Sequence, residues 1–451
     1  MSHERFTLDT TRSNSGRARF PRAFFWSLFV LSLAVRLLVL GANLHHSHPQ
    51  FFEPDSTDYI RDADDLSRGN GLRDLEGAPS MRRPPGYSAI LAILFALRLA
   101  TPTSPVGVIL LQLVLSALSV PLASWIAFQV GGMRPALLTG ALLALEPSGI
   151  ASANYVMSET LYTLALLGAF AAWERWWDRP RRGSLILLAA LIGILPLIRP
   201  AGTYLPILFT LLILGVGPAS TRRLRAALLF LALSLIPVGA WRARNQVLLG
   251  STEVSSIGPW VQALFAHGVE VRAGDAPPQS APWSQEFAHE QGLSVARAME
   301  QQNAYFRETV ARHPFFALER FSLNALAMLG VPNDRLVRLC LENPPDLQGG
   351  SVTIRLSWLK AVGPISLLLV MGMAVSLGGI ACLPLLLVRS GIWDPFPRSV
   401  LVCLVTVVLY QWAISSLIQF QADRYRIPMI PLLAISLALG VFDTVPRRQH
   451  G

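Results

Sequence analysis

The chain is short of charge, of lysine and of cysteine, and each shortage closes off a class of protein. Only 15% of its 451 residues are charged, against about 25% in ordinary soluble domains, while 52% are hydrophobic. Several apolar runs reach or approach the ~18–20 residues that a bilayer core demands, and a soluble core of this size has no need of them. The three cysteines, Cys340, Cys382 and Cys403, lie far apart and two sit in hydrophobic runs, so neither a disulfide framework nor a metal-ligand spacing follows. Lys360 is the only lysine, and the net charge of +10 is therefore almost entirely arginine. In so apolar a chain that charge reads as basic cytoplasmic loops and not as a nucleic-acid surface. No internal repeat and no low-complexity tract is present. The composition predicts an all-α polytopic membrane protein.

The apolar runs predict ten spans, near 24–44, 106–130, 135–153, 156–174, 184–199, 202–217, 225–242, 361–388, 399–418 and 427–443. The first follows a tail bearing Arg12, Arg17, Arg19 and Arg22, and is too long for a secretory signal, so it is expected to be retained. The stretch Tyr87–Leu99 is about 13 residues, marginal for crossing. If it crossed, WERWWDRPRRG, TRRLR and the Arg447-Arg448 tail would lie opposite the basic N-terminal tail. If it lies on the outer face, all of them join that tail inside, as the positive-inside rule prefers. The expected organisation is a basic cytoplasmic tail (1–23), one membrane domain (24–443) and a second cytoplasmic tail (444–451). Its outer loops cover 43–105, with juxtamembrane helices, and 243–360. In the second loop, GDAPPQSAP (274–282) reads as irregular, 284–312 as helical and 315–329 as an amphipathic stretch along the membrane surface.

This arrangement gathers the polar residues that packing explains least on one face. The interval Glu53–Tyr87 holds eight of the chain's 28 carboxylates, then turns basic at Arg82-Arg83 and apolar through Pro84, Pro85 and Gly86. Asp55, Asp58, Asp62 and Asp65 share one helical face. Asp62, Asp64 and Asp65 read as solvated, whereas Asp55 follows Pro54 at the helix start, where backbone N–H groups can hold a carboxylate. Glu159 enters an apolar span in SANYVMSETLYTLALL, which marks it as a functional candidate; Glu146 before Pro147 is a weaker one. Arg36 lies inside the first span and reads as snorkelling. Arg199 (LIRPAG), Arg244-Asn245 and Arg424 and Arg426 (RYRIPMIP) fall on the same face as the loop. Arginine matches phosphate oxygens in bidentate geometry. Carboxylates and arginines together at a bilayer surface suit attack on a group carried by a lipid phosphate, a leaving group that needs no strong acid.

The pattern DSTDYIRDADDLSRGNG…RRPPGY resembles the first outer loop of type C glycosyltransferases of the family 39 and aminoarabinose-transferase kind. The resemblance continues in EPSGIASANYVMSETLYTLALL, LIRPAG, WRARNQVLLGS and RYRIPMIP, in order over about positions 24 to 443. It implies a helical membrane bundle and a donor sugar carried on a polyprenyl phosphate. It implies Asp55 as catalytic base and Glu159 as the second acid of the site, a position where some members carry Asp. The donor phosphate is expected on Arg82, Arg83, Arg199, Arg424 and Arg426, with Asp58, Tyr59, Tyr87, Arg244 and Asn245 as further candidates. The acceptor is a hydroxyl of a lipid, polysaccharide or protein, met at the periplasmic or exterior face of the cell membrane, with membrane lipids as partners and no nucleic acid. No cofactor is named, and a divalent ion held by Asp55 and Glu159 is left open. Two other readings stand beside this one. A transporter or flippase predicts helices broken at the midplane and a pseudo-symmetric repeat. A structural assembly protein predicts that Asp55 is dispensable.

Overall fold

A computed structural model describes residues 19–218, 223–276, 293–330, 334–341, 363, 365–389, 395–417 and 422–442. The chain begins with α1 (Arg22–Leu44), a full-length apolar helix, followed by α2 (Ser56–Ser67) and α3 (Pro85–Ala96). These two pack on one another, and at 12 residues each they are about 18 Å long at 1.5 Å per residue. The first loop, where juxtamembrane helices were expected, holds these two helices. Then come α4 (Val106–Gly131), α5 (Met133–Ala144), α6 (Pro147–Ala153), α7 (Glu159–Asp178), α8 (Arg182–Ile198), α9 (Leu205–Val216) and α10 (Arg223–Leu249). The long loop contributes α11 (Ile257–Ala273), α12 (Val295–Arg312), α13 (Pro314–Gly330) and α14 (Asp334–Cys340). The chain closes with α15 (Ile365–Arg389), α16 (Pro395–Ser416), the short α17 (Ala422–Tyr425) and α18 (Ile430–Phe442). No strand occurs among the described residues.

Among the described residues five helices (α1, α4, α10, α15 and α16) are long and apolar enough to cross a membrane, and a sixth crossing is formed if α5 and α6 count together. Shorter apolar helices include α8, α9 with the turn before it, and α18 with the turn before it. The chain is thus a multi-span helical membrane protein, and the spans expected at 184–199, 202–217 and 427–443 correspond to those shorter helices. The stretch expected as one span at 135–153 is broken. α5 and α6 meet at 51° because Pro147 cannot donate to the helix before it, and Glu146 caps the new N-terminus by accepting from the Ser148 and Gly149 N–H groups. α10 runs two turns beyond 243, so Arg244 and Asn245 lie on a helix and not in a loop. α11 was not expected, α12 lies in the later part of the stretch expected as helical over 284–312 and α13 in the amphipathic stretch, the two divide at His313-Pro314, and 277–282 and 284–292 lie outside the described residues.

The core joins α4, α5, α7 to α10, α15, α16 and α18. Its close approaches are made at glycine: a Cβ on Gly193 of α8 would stand 2.6 Å from the Ser234 carbonyl of α10, the small-residue contact that lets membrane helices pack on backbone. Gly86 at the start of α3 likewise abuts the Leu197 carbonyl, with 2.7 Å left for a Cβ. That contact brings the Arg82-Arg83 segment to the end of α8, where Arg199 follows. Arg36 does not snorkel. It is 2% exposed and donates to Ser32 of its own helix and to Ser116 of α4.

Candidate active site

Five chain segments converge where α2 and α7 begin. Asp55 occupies the N-cap position of α2 but makes no capping hydrogen bond. Its carboxylate faces two guanidiniums instead, with Oδ1 2.6 Å from Arg83 Nη2 and Oδ2 2.7 Å from Arg424 Nη1. Glu159, the first residue of α7, is fully buried. Its Oε1 accepts from Arg424 Nε and lies 2.6 Å from Arg199 Nη1. Arg424 therefore bridges the two acids singled out from the sequence. Beyond Arg83 the network continues through Asp58, whose Oδ2 accepts from Arg82 Nε at 2.7 Å and Arg83 Nε at 3.1 Å. Arg61 then links Asp58 to Asp62. Five guanidiniums alternate with four carboxylates, so the cluster carries one excess positive charge when every acid is ionised.

The aromatic candidates frame this network. The Tyr59 hydroxyl lies 3.0 Å from Ser158 Oγ, which also accepts from Arg199. Arg83 stands over the Tyr59 ring at 5.3 Å, and Tyr87 meets that ring edge to face while donating to Gln112. Tyr425 lies against both Arg199 and Arg424, 5.8 and 5.6 Å from ring centre to guanidinium. One acceptor is left over: Glu159 Oε2 is buried and makes no hydrogen bond among the described residues. The Asp55 side chain keeps 24% of its surface open, whereas Arg83, Arg199 and Arg424 are nearly covered.

The surroundings set the protonation of the loop acids. Burial raises the Asp55 carboxyl, but Arg424 and Arg83 outweigh it and hold the group well below the usual carboxylate range. Asp62 goes the other way. Its burial is only partly offset by Arg61, and its carboxyl is pushed up to about 6. The expectation that Asp62 is solvated is thereby overturned: it is 1% exposed, on the packed side of α2, while Asp64 and Asp65 are half-exposed.

Three other candidates serve the frame. Arg426 donates to the Met328 and Leu329 carbonyls, tying the chain after α17 to the end of α13. Arg244 donates to the Ser80 and Leu72 carbonyls of the first loop and stacks on Trp241. Asn245 donates to the Glu253 carbonyl. The structure adds a second ionic cluster that sequence patterns do not show. Glu53 Oε1 lies 3.1 Å from Arg335 Nε and 2.9 Å from Arg338 Nη2, both on α14. Ser56 Oγ accepts the Glu53 N–H and donates to the Val156 carbonyl. The residues on either side of Asp55 are pinned by these contacts. The only hint in the sequence is the i,i+3 spacing of Arg335 and Arg338, which names no partner.

A divalent ion between Asp55 and Glu159 does not fit this donor set. Both Asp55 oxygens and Glu159 Oε1 already face guanidiniums, and Arg424 lies between the carboxylates where the ion would sit. Among the described residues no group of three or more His, Cys, Asp or Glu side chains is placed to hold a metal.

No protein family and no curated protein matches the chain by sequence. Solved structures do match. An oligosaccharyltransferase of Archaeoglobus fulgidus, solved with Zn and sulfate, superposes with a TM-score of 0.51 at 14% identity, over 93% of this chain and 49% of that one. The same archaeal enzyme with an inhibitory peptide and a dolichol-phosphate gives 0.49 at 14% identity, covering 94% and 51%. ArnT from Cupriavidus metallidurans bound to undecaprenyl phosphate gives 0.41 at 16% identity, covering 93% and 79%. The chain spans about half the length of the oligosaccharyltransferase. At these identities the likeness is one of fold alone, a multi-span helical bundle.

Proposed function

We propose that the protein is a membrane glycosyltransferase that moves a sugar from a polyprenyl-phosphate donor to an acceptor hydroxyl, with inversion, at the outer (periplasmic or exterior) face of the cell membrane. The observation that carries this reading is the bridged network Asp55–Arg424–Glu159 with Arg83 and Arg199 at its flanks. Buried guanidiniums at a membrane bundle's end suit a lipid-borne phosphate, the most anionic group a bilayer presents there. Membrane transferases that share the fold, whose structures hold dolichol-phosphate or undecaprenyl phosphate, are in keeping with this donor class.

In the proposed reaction the acceptor oxygen forms a bond to the anomeric carbon as the bond from that carbon to the phosphate oxygen breaks. The electron pair leaves with the phosphate, whose growing charge falls on Arg83, Arg424 and Arg199, with Arg82 at the rim. The acceptor proton passes to Asp55. A carboxylate clamped by two arginines is a poor base, but the donor phosphate competes for them: it takes over Arg83 and Arg424, and Asp55 is left closer to its ordinary basicity. The free Oε2 of Glu159 then accepts from a sugar or acceptor hydroxyl and orients it.

The transporter reading has one feature in its favour, the broken pair α5–α6. In transporters such half-helix ends point at substrate. Here the N-terminus of α6 is capped by Glu146 of the same chain, which removes the free dipole end that reading requires. The test is sugar transfer by the purified chain from a polyprenyl-phosphate-linked sugar. Wild type is expected to release polyprenyl phosphate and Asp55→Asn is expected not to. An Asp55→Asn protein with undiminished transfer contradicts the proposal.

A further inference from the structure

Inside the bundle, within a turn of the acidic network, lies a small polar cavity that the transferase reading does not use. Arg36 of α1, Ser116 of α4, Glu146 and Ser152 at either end of α6, and Thr160 and Thr163 of α7 line it, and all six are buried. Its volume is about 40 Å³, room for about two or three waters at the roughly 10–15 Å³ that each needs. Arg36 uses Nε on Ser116 and Nη1 on Ser32, and Glu146 accepts the Ser148 and Gly149 N–H groups. The two charges also face one another across Gly149, where a Cβ would stand 3.7 Å from Arg36 Nη2 and 3.3 Å from Glu146 Oε2. Glycine thus leaves a gap about one water wide between them. Charges at this depth are costly without partners, but an added ion of either sign would meet a like charge in the gap. A water accepts from the guanidinium and donates to the carboxylate at once. The ligand that fits is therefore neutral and hydrogen-bonding.

The cavity also meets the candidate site through α7. Thr163 lies one turn beyond Glu159 on the same helix face. Each carries a buried oxygen, Thr163 Oγ1 and Glu159 Oε2, that makes no hydrogen bond among the described residues. Thr163 lines the cavity and Glu159 does not, so the hydroxyl stands between the cavity and the acid. A hydroxyl can accept from a cavity water and donate to the carboxylate, and the carboxylate oxygen keeps a second lone pair for substrate. We infer that this cavity is a built water site, whose waters bridge Arg36 to Glu146 and reach the Thr163 hydroxyl, which in turn holds Glu159 Oε2 in place. Arg36, Glu146 and Thr163 are then positioning residues. The hydration does not rest on the proposed function, whereas the role at Glu159 does.

The test has two readouts on the full-length chain in detergent. The first is X-ray footprinting, in which brief irradiation activates bound waters and oxidises the side chains beside them. Ile427 and Ile430, buried at the cavity wall, are expected to be oxidised in wild type. In Gly149→Ala, whose methyl fills the gap, their oxidation is expected to fall about threefold or more, with the exposed Leu75 labelled equally in both. A wild type without oxidation at the two isoleucines, or an undiminished signal in Gly149→Ala, overturns the water site; an unfolded variant would raise labelling and not lower it. The second readout is sugar transfer. Thr163→Val is expected to lower kcat about tenfold through a misplaced Glu159, with affinity for polyprenyl phosphate unchanged, and Thr163→Ser, which keeps the hydroxyl, to restore it. Undiminished kcat in Thr163→Val, or no recovery with serine, overturns the positioning role. A wild type that transfers no sugar contradicts the proposed function and with it the role at Glu159, while the footprinting still decides the water site.

Discussion

Two buried ionic clusters stand on either side of Pro54, and the difference between them separates a working site from its frame. Glu53 is closed: its side chain is 4% exposed and Arg335, almost as buried, meets it from a helix 282 residues away in sequence. Asp55 is open at one edge, one of its arginines, Arg424, is shared with Glu159, and Glu159 keeps an unsatisfied oxygen. A closed cluster left whole has nothing to offer a ligand, and removing both its arginines leaves Glu53 buried without either of them. A shared, incompletely satisfied network can exchange a carboxylate for a phosphate without stranding any charge. The same chemistry of arginine and carboxylate thus serves anchoring at Glu53 and exchange at Asp55.

The comparison can be broken at several points. The largest expected effect is on turnover: Asp55→Asn should lower sugar transfer by about 10³-fold, within the 10²–10⁴ of a lost general base, beside a lower unfolding temperature from the loss of its ion pairs with Arg83 and Arg424. The closed cluster should affect stability alone. Arg335→Leu with Arg338→Leu, which leaves Glu53 buried with neither arginine, is expected to destabilise the fold by about 3 kcal/mol, in the range for an orphaned buried charge. In detergent this is read as a lower unfolding temperature, with donor affinity retained in the protein that stays folded.

Asp62 offers a smaller and pH-dependent contrast. Because its folded carboxyl titrates near 6, above the unfolded value of about 3.9, its contribution to stability is complete below about pH 4 and lost as pH rises through 6. Asp62→Asn should therefore stabilise the protein at pH 8, by about 2 kcal/mol, and have no such effect at pH 4. A shift of equal size at both pH values would contradict the buried placement. Asp55 has the reverse sign. Its depressed carboxyl contributes stability above the unfolded value, and that contribution fades only in strong acid.

Much of the site is legible in the sequence because charge in an apolar chain is expensive and therefore conspicuous. Asp55, Glu159, Arg83, Arg199 and Arg424 each interrupt or border hydrophobic sequence, and sidedness alone places them on one face. What stays hidden is which arginine meets which acid. Arg426 sits two residues from Arg424 and has the same local signature, yet it holds backbone carbonyls of α13. Asp62 has the helical phase of Asp55 and Asp65 but lies under the loop, because Arg244 of α10 pins Ser80 and Leu72 close by. Long-range pairings such as Glu53 with Arg335 leave no periodicity to read. The fold shows the same division. Helix positions follow from apolar runs, while the bend at Glu146-Pro147 and the extension of α10 depend on capping and on packing against the first loop.

The most direct test of the exchange idea is the affinity of the purified chain for a polyprenyl phosphate in three forms: wild type, Arg424→Gln and Arg338→Gln. Arg424 belongs to the open network and Arg338 to the closed one. Arg424→Gln is expected to weaken binding at least tenfold, the equivalent of about 1.4 kcal/mol, and Arg338→Gln is expected to leave it within twofold of wild type. Equal affinity in all three forms, or a loss confined to Arg338→Gln, would contradict the assignment of the Asp55–Arg424–Glu159 network as the donor-phosphate site.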